Sequence, residues 1–464
     1  MNKKLLFALI AANAFMGASA QQFGNRTLVA PSANYLKSFV FHDMDDDGDI
    51  DIVAARSTGS VSSSANEVLW FKNQGSNTFS AKVLISSDYD DVSTVRLLDI
   101  DNDGKKDIVV GDRESGVSWI KNMGSGFFGT KQLLPYNSFL STLEVGDINN
   151  DGFDDIIVAE LSNDTMTLLR NNGTGGFHPA TSFYIAPGGV NIYSFEFADL
   201  DMDQKRELIV STGGTTAKKI IQFELNEDVY VQTNIYTSSS SPSIYQSYLT
   251  DMDNDGLVDV VSNGSDCGGY WFKNFGNNVY STITPISLTG CNNFNFAGPA
   301  DLDLDGFQDF VFFRYGSINY RKGTGFGELD STEILITGTP AIVGELNYTE
   351  MFDIDSDGDL DMFYITDSEF GWFMNNAAAL ATPEHAVSKF TLYPNPATSQ
   401  IRIASANAID SYKIYESTGK LVANASFPNA ITDCNIDLSG LSSGFYFIEI
   451  QSGSSREIKK FVKN

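Results

Sequence analysis

The amino-acid sequence predicts an all-β protein: a seven-bladed β-propeller with calcium loops, followed by a small C-terminal β-sandwich. Three observations carry that prediction. An acidic motif, Asp-x-Asp-x-Asp-Gly-x-x-Asp, recurs with copies starting at Asp43, Asp99, Asp147, Asp199, Asp251, Asp301 and Asp353, 48 to 56 residues apart. Each copy sits among short apolar runs of strand composition, and repeats of this period with such runs read as propeller blades. Beyond residue 388 the motif stops and a different strand pattern begins.

The loop chemistry can be read from the first copy. Asp43, Asp45 and Asp47 occupy positions 1, 3 and 5, which turns three carboxylates to the inside of a tight loop. Gly48 at position 6 can take the positive φ needed for the chain to double back. That turn aims the carbonyl of Asp49, position 7, inward, and Asp51 at position 9 closes the cage. Hard oxygen donors in this number suit Ca²⁺, which takes six to eight at roughly 2.3–2.6 Å, better than Mg²⁺ with its strict octahedron. Zinc is disfavoured because no loop holds His or Cys.

The other cages follow by position, position 7 giving only its main-chain carbonyl. The second is Asp99, Asp101, Asp103, Lys105 and Asp107; the third is Asp147, Asn149, Asp151, Phe153 and Asp155. The fifth is Asp251, Asp253, Asp255, Leu257 and Asp259; the sixth is Asp301, Asp303, Asp305, Phe307 and Asp309. The seventh is Asp353, Asp355, Asp357, Asp359 and Asp361. The fourth, Asp199, Asp201, Asp203 and Glu207, has Gln204 in place of the glycine and a longer last ligand. Up to seven Ca²⁺ are expected, the fourth site binding weakly or not at all. Solvated acidic turns have no need to keep positions 1, 3, 5, 6 and 9 together through successive copies. An EF-hand is excluded because position 12 is Ala54, Val110, Val158, Val210, Ser262, Phe312 or Tyr364, and strand-like runs follow.

The 464 residues carry 59 acidic against 30 basic side chains, a formal charge of −29. Seven loops with four such positions, less Asn149, take 27 of those acids, so nearly half the acid is cage rather than surface. Without metal, carboxylates crowded into one loop repel and raise each other's pKa, so the fold should depend on calcium. Nucleic acid is a poor partner, since no basic face is visible. Residues 1–20, with Lys3 and Lys4 before an apolar stretch and Ala18-Ser-Ala20 after it, predict a secretory signal peptide cleaved after Ala20. No later segment has the 18 uninterrupted apolar residues of a membrane-spanning helix. Cys267 and Cys291 lie in one repeat and are expected to pair, leaving Cys434.

Residues 21–376 divide into blades. In the second unit Val95-Arg-Leu-Leu leads into the loop, Asp107-Ile-Val-Val follows it, Gly116-Val-Ser-Trp-Ile-Lys121 makes a third strand and Phe128-Gly-Thr-Lys-Gln-Leu-Leu a fourth. Trp70, Trp119, Trp271 and Trp372 all fall in the third strand, where packing between blades explains them better than a sugar-stacking ring. The seventh unit stops at Asn375-Asn376 without a fourth strand, and residues 23–30, opening Phe23-Gly24, supply one that closes the ring. Residues 377–388 read as a linker.

In residues 389–464, Tyr393-Pro-Asn-Pro396, Gly419-Lys420, Leu441-Ser-Ser-Gly-Phe-Tyr446 and a basic end resemble the type A sorting domain of the Bacteroidota type IX secretion system. The resemblance implies export by the signal peptide, then passage through the outer membrane by the type IX machinery, to secretion or the cell surface. The acidic repeats, with Phe-Gly at Phe23, Phe128, Phe275 and Phe326, resemble FG-GAP/VCBS-like repeats, whose integrin relatives are seven-bladed propellers with calcium in such loops. That likeness carries over the calcium ligands and no ligand-binding residues.

The expected function is a secreted or cell-surface calcium-binding propeller, a non-catalytic binding or adhesion module for a glycan or a surface protein. The alternative is an extracellular lyase or hydrolase acting on polysaccharide. Against it, only His42, His178 and His385 occur, and no Gly-x-Ser-x-Gly, His-Glu-x-x-His or phosphate-cradling loop is present. The acids that might do glycosidase work already have a place in the cages.

Overall fold

The computed structural model describes residues 22–30, 35–59, 66–75, 78–149, 151–160, 165–185, 190–214, 218–226, 229–239, 244–264, 269–286, 295–314, 317–325, 327–336, 342, 346–380, 390–416, 420–452 and 455–463. Within them lie seven four-stranded antiparallel sheets and one five-stranded sheet. Blade 1 runs Leu36–His42, Asp51–Arg56, Glu67–Phe71, Val83–Ser86 from first strand to fourth. Blades 2 to 6 repeat this meander over residues 92–133, 140–185, 190–238, 244–286 and 295–335.

Blade 7 takes three strands from one end of the propeller, Leu346–Phe352, Asp361–Thr366 and Phe370–Phe373, and its fourth, Thr27–Ala30, from the other. Thr27 stands opposite Trp372, and Phe23 bridges Asn375. Phe23 is 3% exposed and packs edge-on against Tyr320 of blade 6. Joining first to last in this way leaves the ring without an open edge at the seam.

The second strands are apolar without alternation because both of their faces are buried. Ile52 and Ala54 pack with Phe363 and Ile365 of blade 7, whereas Val53 and Ala55 pack with Val95 and Ile108 of blade 2. The core is therefore a succession of inter-blade clusters, each buried aliphatic or Phe side chain contributing about 1.5–3 kcal/mol. The tryptophans belong to these clusters: Trp70 between blades 1 and 2, Trp119 between 2 and 3, Trp372 between 7 and 1, and Trp271 against the one between 5 and 6. The first strands ring an axial cavity of about 830 Å³ to which every blade contributes side chains.

The C-terminal sheet comprises Phe390–Tyr393, Gln400–Glu416, Leu421–Asp437, Gly444–Ser452 and Ser455–Lys463. Gln400–Glu416 pairs along its length with Leu421–Asp437, and its two halves pair in turn with Phe390–Tyr393 and Gly444–Ser452. A parallel bridge from Ala397 to Lys463 brings the edges together, so the expected small sandwich takes the form of one nearly closed, barrel-like sheet. It wraps Ile401, Ile403, Ile414, Ile448, Ile450 and Phe461.

Residues 1–20, Cys267, Cys291 and 381–388 of the linker lie outside the described residues; 377–380 form a short helix and Cys434 is a free thiol. No helix among the described residues is long and apolar enough to cross a membrane.

Candidate metal centres

Each acidic motif is the hairpin between the first and second strands of its blade. Position 9 opens the second strand opposite the residue before position 1, as in Asp51 against His42 and Asp361 against Phe352. The carboxylates first organise the backbone. Asp43 accepts the N–H groups of Asp47 at 3.1 Å and Gly48 at 2.7 Å, and Asp47 accepts that of Asp49 at 3.0 Å. The same three bonds recur in the other six loops, fixing Lys105, Phe153, Lys205, Leu257, Phe307 and Asp359 at position 7. Position 6 is left-handed, with φ 93° at Gly48. A Cβ there would meet nothing within 4 Å, so conformation and not space selects glycine. Gln204 holds the same turn in the fourth loop at φ 73°, at a cost on the order of 1 kcal/mol.

Position 9 ties each loop to the core. Asp51 is fully buried and accepts the N–H of Met44 at 3.1 Å and of Asn73, at the end of the third strand, at 2.7 Å. Met44 and its counterparts at position 2, from Ile100 to Ile354, are buried between blades. Burial is the first cause that pushes position 9 up, to about 6 at Asp51 and Asp107, about 7 at Asp155, Glu207, Asp259 and Asp309, and about 8 at Asp361. The mutual repulsion expected from crowding adds to this only in second place.

Three residues of the predicted set come together in each of five loops. Asp43, Asp45 and Asp51 each offer an oxygen within 4.8 Å of the others, as do Asp99, Asp101 and Asp107, and Asp301, Asp303 and Asp309. Asp251, Asp253 and Asp255 form such a group, and so do Asp199, Asp201 and Asp203, while Glu207 accepts the N–H of Leu200 at 2.7 Å. In the third loop the Asn149 amide donates to Asp151 at 2.9 Å. In the seventh, the Asp359 carboxylate accepts the N–H of Ala378 at 2.8 Å.

One feature tests whether these cages fit a cation. At position 3, one carboxylate oxygen (Oδ1) of Asp45, Asp101, Asp253 and Asp303 is buried with no hydrogen-bond partner among the described residues. A buried oxygen of this kind is costly unless something positive meets it. Surrounded by further carboxylates, it fits a hard divalent ion such as Ca²⁺.

Two sets of residues around the cages had no assigned role in the sequence reading. Lys72, Lys121, Lys273 and Lys322 hold the other oxygen of those four aspartates. Asn122, Asn274 and Asn375 donate their side-chain amides to Met44, Leu200 and Leu302 of the preceding blade's loop, at 3.2, 2.7 and 2.8 Å. The recurring Asn at the third-strand end was the visible signal. Also unforeseen is the axial cavity, where Arg96 pairs with Glu144 at 2.8 Å and burial pushes Glu196 up to about 8. His42 ends the first strand of blade 1, His178 follows the third strand of blade 3, and His385 lies outside the described residues.

An FG-GAP-like repeat family matches residues 43–110, 99–158, 147–210 and 251–312, and a secretion system C-terminal sorting domain family matches residues 391–464. No curated protein matches the chain. Among solved structures, an Agrocybe aegerita lectin studied for specific recognition of non-reducing terminal N-acetylglucosamine gives a TM-score of 0.50 at 20% identity, over 66% of this chain and 81% of its own. The Dos1 propeller gives 0.48 at 11% identity, over 73% and 77%. At 20% identity the likeness to the lectin is one of fold. The tail match indicates export by type IX secretion to the cell surface or outside. The chain is a seven-bladed propeller that carries FG-GAP-like repeats within residues 43–312, with a secretion system C-terminal sorting domain at residues 391–464.

Proposed function

We propose that the propeller is a calcium-stiffened, non-catalytic binding module, presented at the cell surface or released from it, whose ligand is a glycan or a surface protein. The observation that carries the calcium part is the buried, donor-less oxygen at position 3 of four loops. Bound calcium would supply the positive charge those oxygens lack. The chain's own residues do the rest. Positions 1 and 5 hold the loop closed, position 9 fixes it to the third strand, position 2 anchors it between blades, and in three blades an Asn amide reaches the loop of the blade before. Filling a cage whose loop accepts such an amide would therefore stiffen two blades, and loops on a stiff scaffold present a stable surface.

Glycans are the first ligand class to test, because a lectin shares this fold. The experiment applies the purified, secreted protein to glycan and matrix-protein arrays, with calcium and after chelation, alongside metal analysis. The expected result is bound calcium and retention of a ligand without turnover. Breakdown of an arrayed polysaccharide, or a metal-free protein from calcium-containing buffer, would contradict the proposal.

A further inference from the structure

In four of the cages a lysine just past the third strand contacts the aspartate at position 3. We propose that Lys72, Lys121, Lys273 and Lys322 are built-in counter-ions that hold these cages in shape without metal and weaken their grip on calcium. The proposal rests on the calcium reading above.

Strand register defines the position. Phe71, Ile120, Phe272 and Arg321 pair with Ile52, Ile108, Val260 and Phe310 at the start of the second strand, and the next residue is the lysine. The same register gives Arg170 in blade 3, Glu224 in blade 4 and Met374 in blade 7. The lysine is thus a feature of some blades and not a requirement of the fold.

Each ammonium contacts Oδ2 of position 3, at Asp45, Asp101, Asp253 or Asp303. In three loops it also contacts Oδ2 of position 5, 2.7 Å from Asp47, 2.9 Å from Asp103 and 2.8 Å from Asp255. It grips the outer oxygens and leaves Oδ1 of position 3 buried without a donor. Two effects follow. In the metal-free protein the ammonium offsets repulsion among the carboxylates, so the loop keeps its form. Once a dication sits at the inner oxygen, the same ammonium repels it. Coulomb's law in the dielectric of water makes that repulsion, between one charge and a dication roughly 6 Å apart, worth about a tenfold change in Kd. The sites therefore divide into classes, with the seventh, beside Met374, tighter than the first, second, fifth and sixth.

Calorimetric calcium titration of the full-length secreted protein tests this, comparing wild type with the fourfold Lys→Met variant at positions 72, 121, 273 and 322 and with Met374→Lys. The fourfold variant should tighten four sites roughly tenfold each and widen the gap in melting temperature between loaded and metal-free protein. Met374→Lys should weaken one site by a similar factor, a readout that does not depend on the fourfold variant folding without metal. Unchanged or weaker binding after Lys→Met, in a protein whose wild type binds calcium, would overturn this proposal alone. Wild-type protein that binds no calcium would overturn both it and the reading beneath it.

Discussion

Replacing Asn274 by alanine isolates the link between one blade and the loop of the blade before it. Asn274 is fully buried, and its amide donates to Leu200 O at 2.7 Å in blade 4 and to Val258 O at 3.0 Å in its own. Its side-chain oxygen accepts the N–H of Gly276 at 2.8 Å, while its backbone N–H bond to Asp259 survives the substitution. Three bonds vanish, and the carbonyl of buried Leu200 loses its donor from Asn274, a loss of about 2–4 kcal/mol at ordinary values for each bond. Asn171, its counterpart in blade 3, is an internal control. Its side-chain oxygen accepts the N–H of Gly173 at 3.0 Å, but its amide nitrogen has no partner among the described residues. Asn171→Ala should therefore cost only about 1 kcal/mol. Equilibrium denaturant unfolding of both variants in calcium reads the difference directly. Equal losses, or a loss below about 0.5 kcal/mol for Asn274→Ala, would refute the claim that this side chain joins the blades.

Three further outcomes are expected. Gln204→Gly, which relieves a left-handed non-glycine residue, should stabilise the protein by roughly 1 kcal/mol in thermal unfolding, and a lower stability would show the loop has another need for glutamine. Removing residues 21–31 takes away the Thr27–Ala30 strand and the Phe23 anchor, so a circular dichroism melt should drop severely or become non-cooperative; an unshifted melt would mean the ring closes without them. Because burial raises the position 9 carboxyls to between about 6 and about 8, the folded metal-free protein binds protons that the unfolded chain releases. Its stability should therefore rise as pH falls from 8 towards 5, whereas calcium-loaded protein should lose stability over the same range as protons compete for the cages. Parallel denaturant midpoints in the two conditions would contradict this.

Fold and cages were legible in the sequence for a physical reason. A hairpin with fixed carboxylate positions cannot drift in register, so Asp43 to Asp51 and its counterparts mark the end of every first strand and the start of every second. Strands buried on both faces write themselves as apolar runs such as Ile52 to Ala55. What escaped depends on contacts between distant segments. Lys72 reaches Asp45 from 27 residues away and Asn122 reaches Met44 from 78, distances at which no local pattern assigns a partner. The apolar residue at position 2 was in plain view, but its burial follows only once the neighbouring blade is in place. Glu144, Glu196 and Glu350 converge on the axis from three blades, which spacing along the chain does not reveal. The weight given to carboxylate crowding was misplaced because burial depth, the larger cause of the raised position 9 pKa values, is a property of the packed ring.

The calcium cages are tested most directly by differential scanning calorimetry of the purified protein, stripped of metal and then titrated with calcium, with bound ion counted on the same sample. Several ions should bind per chain, and the propeller transition should move up by many degrees as the cages fill. The same thermogram before and after calcium, or a full shift with no ion retained, would contradict the calcium reading.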